Sequence, residues 1–171
     1  MNQQFFSGSN ESKLDEKGRF VLPQAMRYGL VEDGKLEFVI GLGLGGCLAI
    51  YRKSEIDKLV EKFRTKLHIA KFQKFFTIFF STLHHTTCDK VGRVAIPPIL
   101  KKAIGFEKEI IVAGVLNKIE IWPKEKYECE LMSFLLADNP QELLKELLDE
   151  SFALLNEKED APEKEEELLP L

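Results

Sequence analysis

Apolar positions along the chain follow two periods, and the periods alternate in the same order twice. The run FVLP at residues 20–23 is a short strand closed by proline. Gln24–Leu30 then reads as a short helix with Pro23 at its first turn, where a missing N–H costs little. KLEFVIGL, a glycine-rich turn and CLAIY predict a hairpin over residues 35–51. From Ser54, the expected cap, Ile56, Leu59, Val60, Phe63 and Leu67 keep the 3.6-residue spacing of a helix. Phe72, Phe75, Phe76, Phe79 and Phe80 follow at i, i+3, i+4, i+7 and i+8 and predict a second helix whose stripe serves as core.

The second half repeats this plan. A short strand after Arg93 leads to a proline-led helix over residues 97–103. The strand EIIVAGV, a tight turn at Leu116-Asn117, the strand KIEIW and a helix from Pro123 to about Leu136 complete it. The shared order is strand, turn, strand, helix, hairpin, helix. The expected domains are residues 6–80 as a first repeat with a helical insert and residues 81–136 as a second repeat. A last helix over residues 137–155 starts at Asn139-Pro140 and carries Leu144, Leu147, Leu148, Phe152 and Leu155 along one side. Residues 156–171 are too poor in apolar side chains to fold alone and are expected to form an acidic disordered tail.

The repeat is sharpest at its turns. LDEKGRFVLP (residues 14–23) and CDKVGRVAIPP (residues 88–98) each place Gly-Arg at the third and fourth positions after an Asp. Gly18 and Gly92 stand where the chain must reverse, which favours a residue free to take positive φ. Asp15 and Asp89 can bond nearby backbone N–H groups and orient Arg19 and Arg93. Arginine's planar fork suits a phosphate or a guanine edge. Lys13, Lys17 and Arg27 add charge around the first turn; Lys90, Lys101 and Lys102 do so around the second. One such turn is ordinarily a hairpin with a surface ion pair. Two related by duplication would set both arginines on one face.

Charge supports an anionic partner without requiring one. The formal net charge is −4, but residues 156–171 hold seven acids and two bases, a net of −5, so the other 155 residues carry +1. Residues 141–155 are acidic as well, which leaves residues 1–140 at +4. The opening MNQQFFSGSN lacks a basic stretch followed by an apolar run, and the longest uncharged apolar stretch, residues 38–51, is too short for a bilayer span. Cys47, Cys88 and Cys129 are widely spaced and fit reduced thiols. A cytoplasmic, nucleoid-associated protein is expected, with no membrane or small-molecule partner.

These residues resemble the MraZ family. Leu14 to Pro23, completed by Arg27, looks like its first signature; Asp89-Lys-Val-Gly-Arg, the preceding Phe79-Phe80-Ser81 and Asn117 to Trp122 match the second; Phe6 and Gly8 match the usual opening. The resemblance covers about residues 6–136. It implies an α+β fold of two AbrB-like, swapped-hairpin half-barrels, interlocked into one β-barrel with peripheral helices and assembled into ring-like homo-oligomers. It further implies a DNA-binding transcriptional regulator acting on short direct repeats in the promoter of the division and cell-wall gene cluster. The family's D-x-x-x-R contacts fall on Asp15, Arg19, Asp89 and Arg93, and Lys17 matches the motif's basic residue. With Gly18, Lys90 and Gly92 these form the expected DNA-binding set. Ser7, Val91 and Ser81-Thr82-Leu83 depart from the family's pattern.

Other chemistries find little support. Gly41-x-Gly43-x-x-Gly46 matches a dinucleotide fingerprint, but a strand follows where a helix must begin, so it reads as a hairpin loop and no cofactor is expected. His84 and His85 occupy adjacent strand positions and point to opposite faces, which argues against a shared metal with Cys88. No convergent polar constellation marks an enzyme. The rival class is an AbrB-like antitoxin that binds a protein.

Overall fold

The computed structural model describes residues 4–136 and 140–155. The chain divides into two compact units, with the boundary in the sequence after Tyr127. In the first unit the first repeat contributes β1 (Ser9–Lys13), β2 (Arg19–Val21), α1 (Gln24–Leu30), β3 (Val31–Glu32), β4 (Lys35–Leu36), β5 (Phe38–Leu42), β6 (Leu48–Arg52), α2 (Lys53–Arg64) and α3 (Gln73–Ser81). The second repeat contributes β7 (His84–Thr86), β8 (Arg93–Ala95), α4 (Pro98–Ile104), β9 (Glu109–Val115), β10 (Lys118–Pro123) and the short α5 (Lys124–Lys126). The fold is α+β, and its strands pair antiparallel throughout the described residues.

Strand pairing exchanges the halves. The main sheet runs β1-β9-β10-β6-β5-β7. The first repeat's leading strand β1 therefore lies on the second repeat's hairpin, and the second repeat's leading strand β7 lies on the first repeat's hairpin. The two hairpins join through β10 and β6. A separate two-stranded ladder pairs β2 with β8, again one strand from each half, and β3–β4 forms a third small sheet with no counterpart among the described residues of the second repeat. The pairings recorded in the main sheet end at β1 and β7.

Burial explains the near-continuous apolar strands. Phe38 and Ile40, Leu48 and Ile50, Ile110 and Val112, and Ile119 and Ile121 alternate into one core with Phe20, Leu22, Leu30, Val94 and Leu100. On the opposite face, Ile111 and Ala113 form a smaller cluster with Cys47 and Trp122. Strands buried on both faces lose the apolar–polar alternation of half-exposed ones. The equivalent of Leu14 in the second repeat is Cys88, and both pack into or against the main core.

Two local expectations change. Ser54 does not cap α2: it lies inside the helix, and the carboxylate of Glu32 accepts both the Ser54 backbone N–H (3.2 Å) and its hydroxyl. A carboxylate delivered from β3 thus serves the positive end of the helix, favoured by the helix dipole. The helix expected from Pro123 to Leu136 is interrupted. A π turn over Tyr127–Leu131 separates α5 from α6 (Ser133–Leu136), and its wider winding takes the apolar stripe out of the 3.6 period. In the second unit α7 spans Pro140–Leu154, with Leu147 and Leu148 half exposed and Phe152 more so. Asn139 and the acidic stretch 156–171 lie outside the described residues.

The phenylalanine stripe is core to the helical insert. Only Phe76 and Phe79 are buried, but Phe63 of α2 meets Phe75, Phe76 and Phe80 with ring centroids at 5.5, 5.4 and 6.0 Å. Such tilted and edge-on contacts zip α2 to α3.

Candidate nucleic-acid interface

Both acid–glycine–arginine turns fold alike, because both carboxylate oxygens of the aspartate accept from its own loop. Asp15 Oδ1 accepts the N–H of Lys17 and of Arg19, both at 2.9 Å, and Oδ2 accepts Arg19 Nε at 2.8 Å. In the second turn Asp89 Oδ1 accepts the N–H of Val91 (3.0 Å) and Arg93 (2.9 Å), and Oδ2 accepts Arg93 Nε at 2.6 Å. Backbone bonds close each loop: Gly18 N–H to the Asp15 carbonyl and Gly92 N–H to the Asp89 carbonyl, both at 3.0 Å. The glycines take φ of 72° and 93°, the left-handed conformation that a Cβ would strain.

The β2–β8 ladder sets the turns back to back. Phe20 faces Val94 at its centre, Arg19 pairs with Ala95 and Val21 with Arg93. The flanking bonds are Leu22 N–H to the Gly92 carbonyl (2.9 Å) and Ile96 N–H to the Gly18 carbonyl (3.0 Å), which repeat each other across that centre. Phe20 and Val94 are buried, while Arg19, Val21, Arg93 and Ala95 occupy the outward face. The two arginines are diagonal neighbours on that face, with Cα atoms roughly 7–8 Å apart by ladder geometry. Their Nε atoms are held by aspartate, and their terminal nitrogens have no protein acceptor among the described residues. A guanidinium oriented this way presents its outer fork to an acceptor with little further loss of rotamer freedom.

Protonation of the aspartates is held off. Asp89 is pulled down to about 2, first by the Arg93 backbone N–H and then by the Arg93 guanidinium and the Val91 N–H, against partial desolvation. Asp15 is lowered by the same contacts, led by the Arg19 backbone N–H. A carboxyl depressed on folding stabilises fully above its unfolded value, here 3.8, and that contribution disappears as pH falls through the folded value. The second turn is therefore expected to be intact at any pH above about 4 and to loosen between about 4 and 2. Carbon-detected NMR titration of the Asp89 carboxyl, with a midpoint near 2, checks this; a midpoint at or above 3.8 contradicts it.

The expected site residues fall as follows. Asp15, Lys17, Gly18 and Arg19 form one turn, and Asp89, Lys90, Gly92 and Arg93 the other. Lys17 and Lys90 are exposed, but at non-equivalent positions: Val91, 60% exposed, stands where the first turn has Lys17. Ser7 lies at the far end of β1 from Asp15, its backbone against Gly114. Thr82 ends α3, and its hydroxyl donates to the Ile78 carbonyl at 2.6 Å. Gly43, Leu44, Gly45 and Gly46 lie between β5 and β6, as a hairpin loop requires.

Helix-borne cations cross between the turns. Arg27, expected beside the first turn, projects from α1 onto the second: a Cβ on Gly92 would lie 2.7 Å from its Cζ. Lys101, expected beside the second turn, reaches the first, with its Cδ 3.9 Å from the corresponding position on Gly18. The 74-residue offset of the repeat makes Arg27 and Lys101 equivalent, each four residues after its proline. The exchange itself is a product of the crossed strand pairing.

Fold and site together define a duplicated α+β protein whose halves exchange strands and carry paired acid–arginine turns. Residues 5–77 and 79–142 match, as two repeats, the family described as "MraZ protein, putative antitoxin-like". The chain belongs to the MraZ family, whose members are non-enzymatic regulators and for which DNA binding is implied. Among the described residues no helix is long and apolar enough to cross a membrane.

Proposed function

We propose that this protein is a sequence-specific transcriptional regulator that grips duplex DNA with the turns Asp15–Arg19 and Asp89–Arg93. The carrying observation is the pair of aspartate-oriented guanidinium groups set diagonally on one outward face of the β2–β8 ladder. Lys17 and Lys90 add phosphate contacts, and Gly18 and Gly92 let the backbone approach. In this reading the strand exchange is the swapped-hairpin interlock of two AbrB-like halves, residues 6–80 and 81–136, with β2–β8 closing a barrel. Residues 137–155 and the acidic stretch 156–171 follow these halves in the sequence. Exposed Leu147, Leu148 and Phe152 on α7 supply an apolar face for a ring-like homo-oligomer. The target is a promoter with short direct repeats in the division and cell-wall gene cluster, and the protein acts in the cytoplasm at the nucleoid.

The test is a fluorescence-anisotropy titration of the duplex upstream of the protein's own gene, against a scrambled duplex, over a salt series. The upstream duplex is expected to bind at least tenfold more tightly, with log K falling linearly in log salt by about 0.9 per phosphate contact. Equal affinity for both duplexes overturns sequence-specific reading. A co-purifying protein partner with no DNA preference would instead favour the antitoxin reading, which the family description and the shared scaffold keep in view.

A further inference from the structure

We infer that Arg27 is a phosphate-binding residue of the second turn, supplied to it by the first repeat. This rests on the DNA-binding reading and adds to it a contact outside the two acid–arginine motifs. Arg27 sits on α1 with its guanidinium packed against Gly92, so that Cζ, Nη1 and Nε would lie 2.7, 2.8 and 2.9 Å from a Cβ placed there. Gly92 is thus needed twice, for its φ of 93° and for the space the guanidinium fills.

Unlike Arg19 and Arg93, Arg27 has no carboxylate. Its Nε is buried without a hydrogen-bond partner, and no acceptor for its other nitrogens is found among the described residues. The Nε is sealed from solvent, so an incoming anion meets the guanidinium at its terminal nitrogens, and a cation this enclosed is costly until a counter-charge arrives. Its charge is felt locally: beside it the Cys88 thiol is pushed up by burial and drawn back by the Arg27 cation. The residue therefore holds unspent donors and a full charge one residue from Arg93. A phosphodiester oxygen of the nucleic-acid backbone is the ligand this arrangement fits, since guanidinium pairs with phosphate through charge-assisted, often bidentate bonds.

The first turn has no such group. There the equivalent Lys101 offers its aliphatic chain to Gly18, with an ammonium on a flexible stem. The two turns are consequently unlike despite their matched loops: the second carries two guanidinium groups and the first carries one. That difference gives a pseudo-symmetric protein a direction along the duplex.

Substituting Arg27→Met keeps apolar packing over Gly92 and removes the charge. It is expected to weaken binding of the upstream duplex roughly tenfold at moderate salt and to flatten the salt slope by about 0.9 per bound protomer. In double-mutant cycles Arg27→Met should couple to Arg93→Ala and be additive with Arg19→Ala. Parental affinity and slope for a folded Arg27→Met, or coupling to Arg19 instead of Arg93, overturns the assignment. Should the variant fail to fold, the intact parent decides: the Arg27 Nε–Hε resonance is expected to shift on adding duplex, and an unmoved signal while Arg93 shifts removes Arg27 from the interface. If the parent itself binds no duplex, the DNA reading falls and this assignment with it; if the parent binds and only the Arg27 results fail, the DNA reading stands.

Discussion

The double variant Arg19→Ala, Arg93→Ala is expected to lose operator binding at physiological salt while keeping its fold. Each side chain stands on the outward face of β2–β8, so truncation removes a charge and donors but little packing. The loop itself survives, because Asp15 and Asp89 still accept two backbone N–H groups each. Each single variant should cost roughly 1–3 kcal/mol if its arginine reads a base edge, with relaxed preference at that base. If it contacts phosphate, the salt slope should flatten by about 0.9 with preference unchanged. Where several protomers engage one duplex, each loss is repeated and the deficit exceeds that of an isolated contact. Titrating the upstream duplex with both single variants and the double variant, beside circular dichroism, separates these outcomes. A folded double variant that binds like the parent would reduce the twin turns to scaffolding.

Much of this arrangement was legible in the sequence because it is local. The Asp-to-Arg spacing, the glycine and the following proline fix a turn, a strand and a helix within about ten residues, and the same local physics acts at both copies. Near-continuous apolar runs bounded by turn residues likewise located β5, β6, β9 and β10. What the sequence withheld depends on partners distant along the chain. Nothing near Arg27 says that α1 will lie over Gly92, since that follows from β1 pairing with β9 and β7 with β5. Ser54 looked like a cap because Ser at a helix start usually is one. Glu32, 22 residues upstream, took part of that role by contributing a charged acceptor. The π turn at Tyr127–Leu131 was hidden because an apolar stripe does not reveal where a helix widens.

Burial also separates what holds the interface from what contacts DNA, and Phe20 tests that separation. Its side chain is 1% exposed, faces Val94 at the centre of the ladder and joins the main core. Phe20→Ala should cost about 3–5 kcal/mol, from lost transfer energy and the cavity left behind. That is a large share of the roughly 5–15 kcal/mol that holds a typical domain. Phe20→Leu, which keeps most of the apolar volume, should cost under about 1.5 kcal/mol. Binding should move much less. Each turn is closed by its own aspartate and glycine bonds, and the ladder is closed by backbone bonds on either side of Phe20, so molecules that remain folded still present both arginines. Urea denaturation measures the first effect, and anisotropy at low temperature, corrected for the folded fraction, measures the second. The expected pattern is the inverse of that for Arg19 and Arg93: a sharply lowered midpoint with affinity per folded molecule within a few-fold of the parent. A loss below about 1 kcal/mol for Phe20→Ala would mean that the ladder is not anchored through this ring. A collapse of affinity in molecules shown to be folded would mean that the core sets the spacing of the two turns.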